Sequence, residues 1–277
     1  MPVMAAILAA SAFAYSPAPL HVRVTASSET GRVRTKLLTY ESQGRTVNAE
    51  MIAPVYPTSG PGVLFVHWLG DAATTNHHEF ESDARALAKR GATCVLVDAM
   101  WSTVTTNGKD WFDKVRSTDT DYENSIAQVI DLRRALDLLT AQSSVDPKRI
   151  AYVAHDFGAM YGAVLSGVDP RPRYFVLMAG TTSFADWYLL GNKPADIPAY
   201  RAQMEPLDPL GYLARGTAKG YLFQFAAHDE YVTAAHATQF FDAAPLPRAM
   251  YVYDAHHDLH VPQALADRLA WLEARLF

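Results

Sequence analysis

RIAYVAHDFGAM, residues 149–160, runs from an apolar stretch into a turn of small residues and on into a helical pattern. Ile150 to Ala154 suits a strand covered on both faces, and GAMYGAVLSGV (158–168) suits a helix. Ala154 and Gly158 flank the turn with side chains small enough for strand and helix to approach closely. The residue at the tip, Asp156, is then thrust outward at the positive end of the helix. This is the form of a nucleophile elbow, with a carboxylate where a serine or cysteine is usual.

Upstream of the elbow, HVRVTASS, RVRTKLLTYES and RTVNAEMIAP alternate apolar and polar residues around breaks at Gly31 and Gly44, which predicts antiparallel strands. After Pro61 the pattern changes to short apolar runs, GVLFVHWLG and ATCVLVDAM, separated by the helical spacing of Phe80, Ala84, Leu87 and Ala88. A long helix follows in DYENSIAQVIDLRRALDLLTAQ. After the elbow come strands in RYFVLMAG, GYLFQFAA and RAMYVYDA, with helices in AAHATQFFDAA and PQALADRLAWLEARLF. Strand and helix taking turns predicts an α/β fold with a doubly wound, mostly parallel sheet and antiparallel N-terminal strands. Residues 21–277 read as one domain. Within it, 181–220 is an aromatic- and proline-rich insertion predicted to form a short helical cap over the carboxyl ends of the strands. Residues 1–20 form a signal-like or disordered N-terminus: MAAILAASAFA is apolar and Ala12-Phe13-Ala14 fits a cleavage site, but no basic residue precedes it. The compartment therefore stays open between cytoplasm and export.

The composition is 49% hydrophobic and 19% charged, with a net charge of −5 over 277 residues. That balance leaves no basic footprint for nucleic acid, and no apolar run is long enough to span a bilayer. A small-molecule partner is expected, and nothing in the sequence sets an oligomeric state. The single cysteine, Cys94, lies in a predicted buried strand and has no intramolecular partner.

Taken with LFVHWLG before it and AAHDEYV and YDAHHDL after it, RIAYVAHDFGAMYG resembles the α/β-hydrolase superfamily, nearest its dienelactone hydrolase-like branch. The likeness spans roughly residues 40 to 277. It implies the chain order nucleophile, acid, histidine, matched here by Asp156, Asp229 and His257, with Glu230 and His256 as neighbouring alternatives. It also implies an oxyanion hole of backbone N–H groups from Leu69 or Trp68 together with Phe157, and no cofactor. Trp68 stands where the superfamily usually has glycine. A metal site at His256 and His260 is disfavoured, because that spacing needs a helix and Pro262 predicts a later helix start.

A carboxylate needs no base to become a nucleophile. Attack on an ester would yield a reactive anhydride, whereas attack on a saturated carbon bearing a leaving group yields an ordinary ester that activated water can cleave. The HDFG elbow is similar to those of epoxide hydrolases and haloalkane or haloacetate dehalogenases, which work this way. An epoxide needs a proton donor, for which Tyr188, Tyr200 and Tyr212 are candidates. A halide needs N–H donors, for which Trp68, Trp101 and Trp187 are candidates. The expected substrate-binding residues are thus Trp101, Trp187 and Tyr188, with an epoxide placed slightly ahead of a halide. Two alternatives remain: an ester or lactone hydrolase with Asp156 as general base, and a non-catalytic binding scaffold.

Overall fold

The structure is a computed structural model that describes residues 12–102 and 108–277. Residues 1–11 of the signal-like run lie outside the described residues. The alternating N-terminal segments form β1 (Arg23–Thr30), β2 (Val33–Ser42) and β3 (Arg45–Pro54), paired antiparallel. The apolar runs form β4 (Gly60–Val66), β5 (Thr93–Val97), β6 (Val145–His155), β7 (Tyr174–Met178) and β8 (Gly220–Ala226), and β9 (Arg248–Tyr253) closes the series. Among the described residues these nine strands make one sheet in the order β1-β2-β3-β5-β4-β6-β7-β8-β9. β3 meets β5 antiparallel, and every later pairing is parallel.

Burial follows position in the sheet. All of β4 and β5 is buried, as continuous apolar strands in mid-sheet should be, whereas β1 is exposed along its whole length at the edge. The helices α1 (Glu81–Lys89), α2 (Asp121–Thr140) and α3 (Phe157–Val168) connect the first parallel strands. α4 (Phe184–Tyr188), α5 (Ile197–Met204) and α6 (Pro209–Leu213) lie within the insertion, and α7 (Ala234–Ala243) and α8 (Pro262–Leu276) finish the chain. One core cluster holds side chains of α2, α3 and the insertion, and a second holds those of α1 and α8, one on each face of the sheet. Cys94 sits in the second cluster, fully buried, and burial pushes its thiol well above the usual range.

The insertion is fastened at its root. The buried Arg116 guanidinium pairs with Asp121 at the start of α2 at 2.6 Å and also donates to the Asn192 carbonyl, while the Tyr200 hydroxyl donates to Asp121 at 2.6 Å. Capping side chains start its helices: Ser183 accepts from the Asp186 N–H, and Asp196 accepts from the Ala199 N–H. At the other end of the chain, the fold takes in residues well ahead of the expected boundary at residue 21. Phe13 is fully buried edge-on against Tyr212, Arg133 donates to its carbonyl at 2.6 Å, and the Tyr15 hydroxyl donates to Asp137 at 2.9 Å.

Across the second face, Arg268 of α8 grips Asp83 of α1 in a fork, with Nε–Oδ1 at 2.5 Å and Nη2–Oδ2 at 3.2 Å; both side chains are almost wholly withdrawn from water. Removing one member would leave the other charged and uncompensated. Asp83→Ala should therefore lower unfolding stability by about 3–5 kcal/mol, measured as a shift of the urea midpoint at unchanged slope. A loss within the range of an ordinary surface substitution would show that this pair does not couple the two helices.

Candidate active site

The site stands at the carboxyl ends of the parallel strands. β6 ends at His155, and the chain turns at Asp156 with φ 56° and ψ −119° before α3 begins. A non-glycine residue in this region is strained, at a cost on the order of 1–3 kcal/mol. Hydrogen bonds on both sides hold it: the Asp156 N–H donates to the Met178 carbonyl at 2.8 Å, and its carbonyl accepts from the Met160 N–H at 3.1 Å. Gly158 is required for the same turn. A Cβ there would lie 2.5 Å from the Val66 carbonyl oxygen, so any side chain would force the helix off the sheet.

The two oxygens of the Asp156 carboxylate have different surroundings. Oδ2 accepts a hydrogen bond from the Leu69 N–H at 2.9 Å. Oδ1 is buried without a hydrogen-bond partner among the described residues and lies 3.8 Å from Nε2 of His257. On its other side, His257 Nδ1 lies 3.0 and 2.9 Å from the two oxygens of Asp229. The Tyr231 and Val232 N–H groups fix Asp229 by donating to its Oδ1 at 2.9 and 2.8 Å. Burial works against ionisation of Asp229, but the hydrogen bond from His257 outweighs it and holds the carboxyl below its usual range. Burial likewise opposes charge on His257, yet the nearby carboxylate of Asp156 and the hydrogen-bonded carboxylate of Asp229 push it up to about 9. At neutral pH the ring is therefore an imidazolium set between two carboxylates.

The fold thus brings Asp156, Asp229 and His257 together from three different loops. Glu230 instead meets the exposed His256 ring, and His260 faces Asp258. Above Asp156 and His257 opens a cavity of about 190 Å³, walled by Trp68, Leu69, Phe112, Trp187, Leu190 and Tyr231, with Gly108 and Lys109 at its margin. A larger, shallow hollow of about 640 Å³ beside His78 and Arg85 contains none of these groups.

Several expected site residues fall elsewhere. Trp101 does not line the cavity; it is fully buried beneath the elbow, stacked on Tyr161 at 5.4 Å and close to Phe157. Tyr188 is also in the core, its hydroxyl engaged with Ser125 at 3.1 Å and Tyr161 at 2.8 Å. Tyr200 is committed to Asp121, and the Tyr212 hydroxyl donates to the Pro206 carbonyl. Of the expected substrate-binding residues, Trp187 alone reaches the cavity, and its buried indole N–H has no acceptor among the described residues. Trp68 contributes its ring to the wall, but its backbone N–H is taken by Glu79 at 2.7 Å and is not offered to the site. Phe157 opens α3, its ring packed against Trp111 and Tyr188.

Sequence reasoning missed Phe112, Leu190 and Tyr231 on the cavity wall and Glu79 and His155 beneath it. Tyr231 follows directly on HDE and was open to discovery there. Glu79 lies in a polar run before α1 and carries no signal of its own. His67, in the quoted LFVHWLG, is held neutral by burial. It accepts from the Ala99 N–H through Nε2 at 3.0 Å, which leaves its Nδ1–H to donate to the Trp68 carbonyl at 2.7 Å.

Because His257 titrates above its ordinary 6.5 in the folded chain, its proton stabilises the fold fully below about 6.5, and this contribution is lost as pH rises through about 9. The stability advantage of the wild type over His257→Gln should shrink between these values when urea unfolding is followed against pH. An advantage that does not vary with pH would contradict the charged pairing.

No family model and no curated protein matches the sequence. Solved structures do match in fold. An acetyl xylan esterase from Paenibacillus sp. R4 superposes with TM-score 0.73 at 16% identity, over 98% of this chain and 92% of that one. Acetyl xylan esterase 1 from Thermoanaerobacterium sp. JW/SL YS485 gives 0.75 at 14% identity, again over 98% and 92%. A protein of Klebsiella pneumoniae subsp. pneumoniae MGH 78578, provisionally named a dienelactone hydrolase, gives 0.64 at 15% identity over 88% and 99%. At these identities the likeness establishes architecture, and with the strand order and elbow described above the chain has the α/β-hydrolase fold.

Proposed function

We propose that this protein is a hydrolase that works through a covalent alkyl ester on Asp156. Oδ1 attacks a saturated carbon, an Oδ1–C bond forms that makes the side chain an alkyl ester, and the bond to the leaving group breaks with its electron pair going to that group. Water then attacks Cγ of Asp156, with its proton taken by His257 under the orientation of Asp229. The alcohol leaves as the Cγ–Oδ1 bond breaks, receiving a proton from His257, and the carboxylate is restored with one oxygen from water.

The observation that carries this reading is the unequal placing of the two Asp156 oxygens. Oδ2 already sits on the Leu69 N–H, where an oxyanion would be stabilised when water adds to the ester, while Oδ1 has no hydrogen-bond partner among the described residues and faces His257. The charge pattern supports the same sequence of steps. Alkylation neutralises one of the two carboxylates that hold the His257 proton, so the ring releases that proton to solvent and becomes a competent base at the stage that needs one; the proton left on the regenerated carboxyl group then returns to the ring. For the leaving group, the geometry favours a halide over an epoxide. Tyr188, Tyr200 and Tyr212 are engaged away from the cavity, whereas Trp187 lines it with an N–H that has no acceptor among the described residues.

A second reading, hydrolysis of a small ester with Asp156 as general base, is favoured by the acetyl xylan esterases that share the fold. It is the weaker of the two, because Asp156 itself occupies the Leu69 N–H that an external ester oxygen would need.

Incubating His257→Gln with a panel of small organic halides, epoxides and esters should produce a substrate-sized mass increase on Asp156, read by intact-protein mass spectrometry and peptide mapping. Turnover by His257→Gln should fall about 10²–10⁴-fold, and Asp156→Ala should form no adduct. Ester turnover by the wild type without any adduct in His257→Gln would replace the first reading with the second.

A further inference from the structure

Glu79 and His155 lie outside the Asp156, His257 and Asp229 set, and neither lines the cavity, yet together they join the loop after β4, the end of β6 and the loop after β9. His155 immediately precedes Asp156 and is fully buried. Its Nε2 lies 2.9 Å from the backbone oxygen of His257. A carbonyl only accepts, so Nε2 carries the hydrogen. Its Nδ1 lies 2.7 Å from Glu79 Oε1, so a proton is shared between that nitrogen and the carboxyl group. The other oxygen, Glu79 Oε2, accepts from the Trp68 N–H at 2.7 Å, one residue before the Leu69 N–H that holds Asp156. The Trp68 ring completes the cluster by stacking on His155, with centroids 5.5 Å apart and planes at 10°.

We propose that Glu79 and His155 are positioning residues that fix the Leu69 N–H, the Asp156 carboxylate and the His257 ring relative to one another. The proposal rests on the reading of Asp156 and His257 as the reacting pair. One carboxylate spans the loop after β4 and the end of β6, and one imidazole spans the end of β6 and the loop after β9. Both groups are withdrawn from water, with side-chain exposures of 6% and 0%, so water cannot replace either hydrogen bond if its partner is removed. Loss of Glu79 would release the Trp68 peptide and, through it, the adjoining Leu69 N–H. It would also free His155 to turn, and with it the carbonyl that anchors His257.

The chemistry distinguishes positioning from simple packing. A glutamine at 79 can still accept from the Trp68 N–H through its oxygen and donate to an uncharged His155 through its amide, whereas alanine can do neither. The full-length protein should therefore be examined by imidazole nitrogen NMR, following the titration of His257 without any substrate. In Glu79→Ala the His257 midpoint should fall by at least about one pH unit toward its ordinary value, as the ring moves away from its two carboxylates. In Glu79→Gln it should stay close to wild type. Glu79→Asp keeps the charge but shortens the reach, so it should behave like alanine and carries the test if Glu79→Ala does not fold. With a substrate from the trapping panel, kcat of Glu79→Ala should drop about 10²-fold with KM little changed, and Glu79→Gln should restore most of it. An unmoved His257 titration in folded Glu79→Ala or Glu79→Asp would overturn the positioning role. A missing adduct on Asp156 would bear on the reaction, not on this result.

Discussion

An aspartate at φ 56° and ψ −119° is costly to place, and it persists because the chain on both sides leaves it no other conformation. β6 is locked between β4 and β7, and α3 is pressed so close to the sheet that only glycine fits at 158. The turn between them must therefore be tight. The strain is offset by the packing of the whole central sheet, and it delivers a carboxylate to the end of the sheet with its two oxygens in different environments. The positions of Leu69, His257 and the cavity walls all take their meaning from that one point.

Electrostatics then sets the state of the site. Two buried carboxylates and one imidazolium give it a net negative charge at rest, with His257 held protonated near neutrality. In the reaction proposed above, such a centre suits electrophiles that consume negative charge on attack. The aromatic wall around it lowers the local dielectric and strengthens these interactions.

The order of strands and helices was legible from the sequence because each element has its own period. Continuous apolar runs became mid-sheet strands, alternating runs became the antiparallel entry, and Phe80, Ala84, Leu87 and Ala88 marked a helix that ends before Gly91 at φ 111°. The meeting of Asp156, Asp229 and His257 was legible only through motif order. The aromatic assignments were less secure for a physical reason: a tryptophan or tyrosine in an apolar stretch reads the same whether it faces a cavity or the core. Trp101 and Tyr188 proved to be core, and the neighbouring Trp187 lines the cavity, because side-chain direction is decided by tertiary packing. Glu79 could not be found at all, since its significance comes from a partner at residue 155 that no local pattern connects to it.

Cys94 has a consequence of a different kind. The only thiol of the 277-residue chain is enclosed in β5 and held protonated by its surroundings. It can neither close a disulfide within the chain nor, while the sheet is intact, meet an oxidant as a thiolate. The stability of this fold therefore has no covalent crosslink to gain or lose, and changing the redox potential of the medium leaves it unaltered.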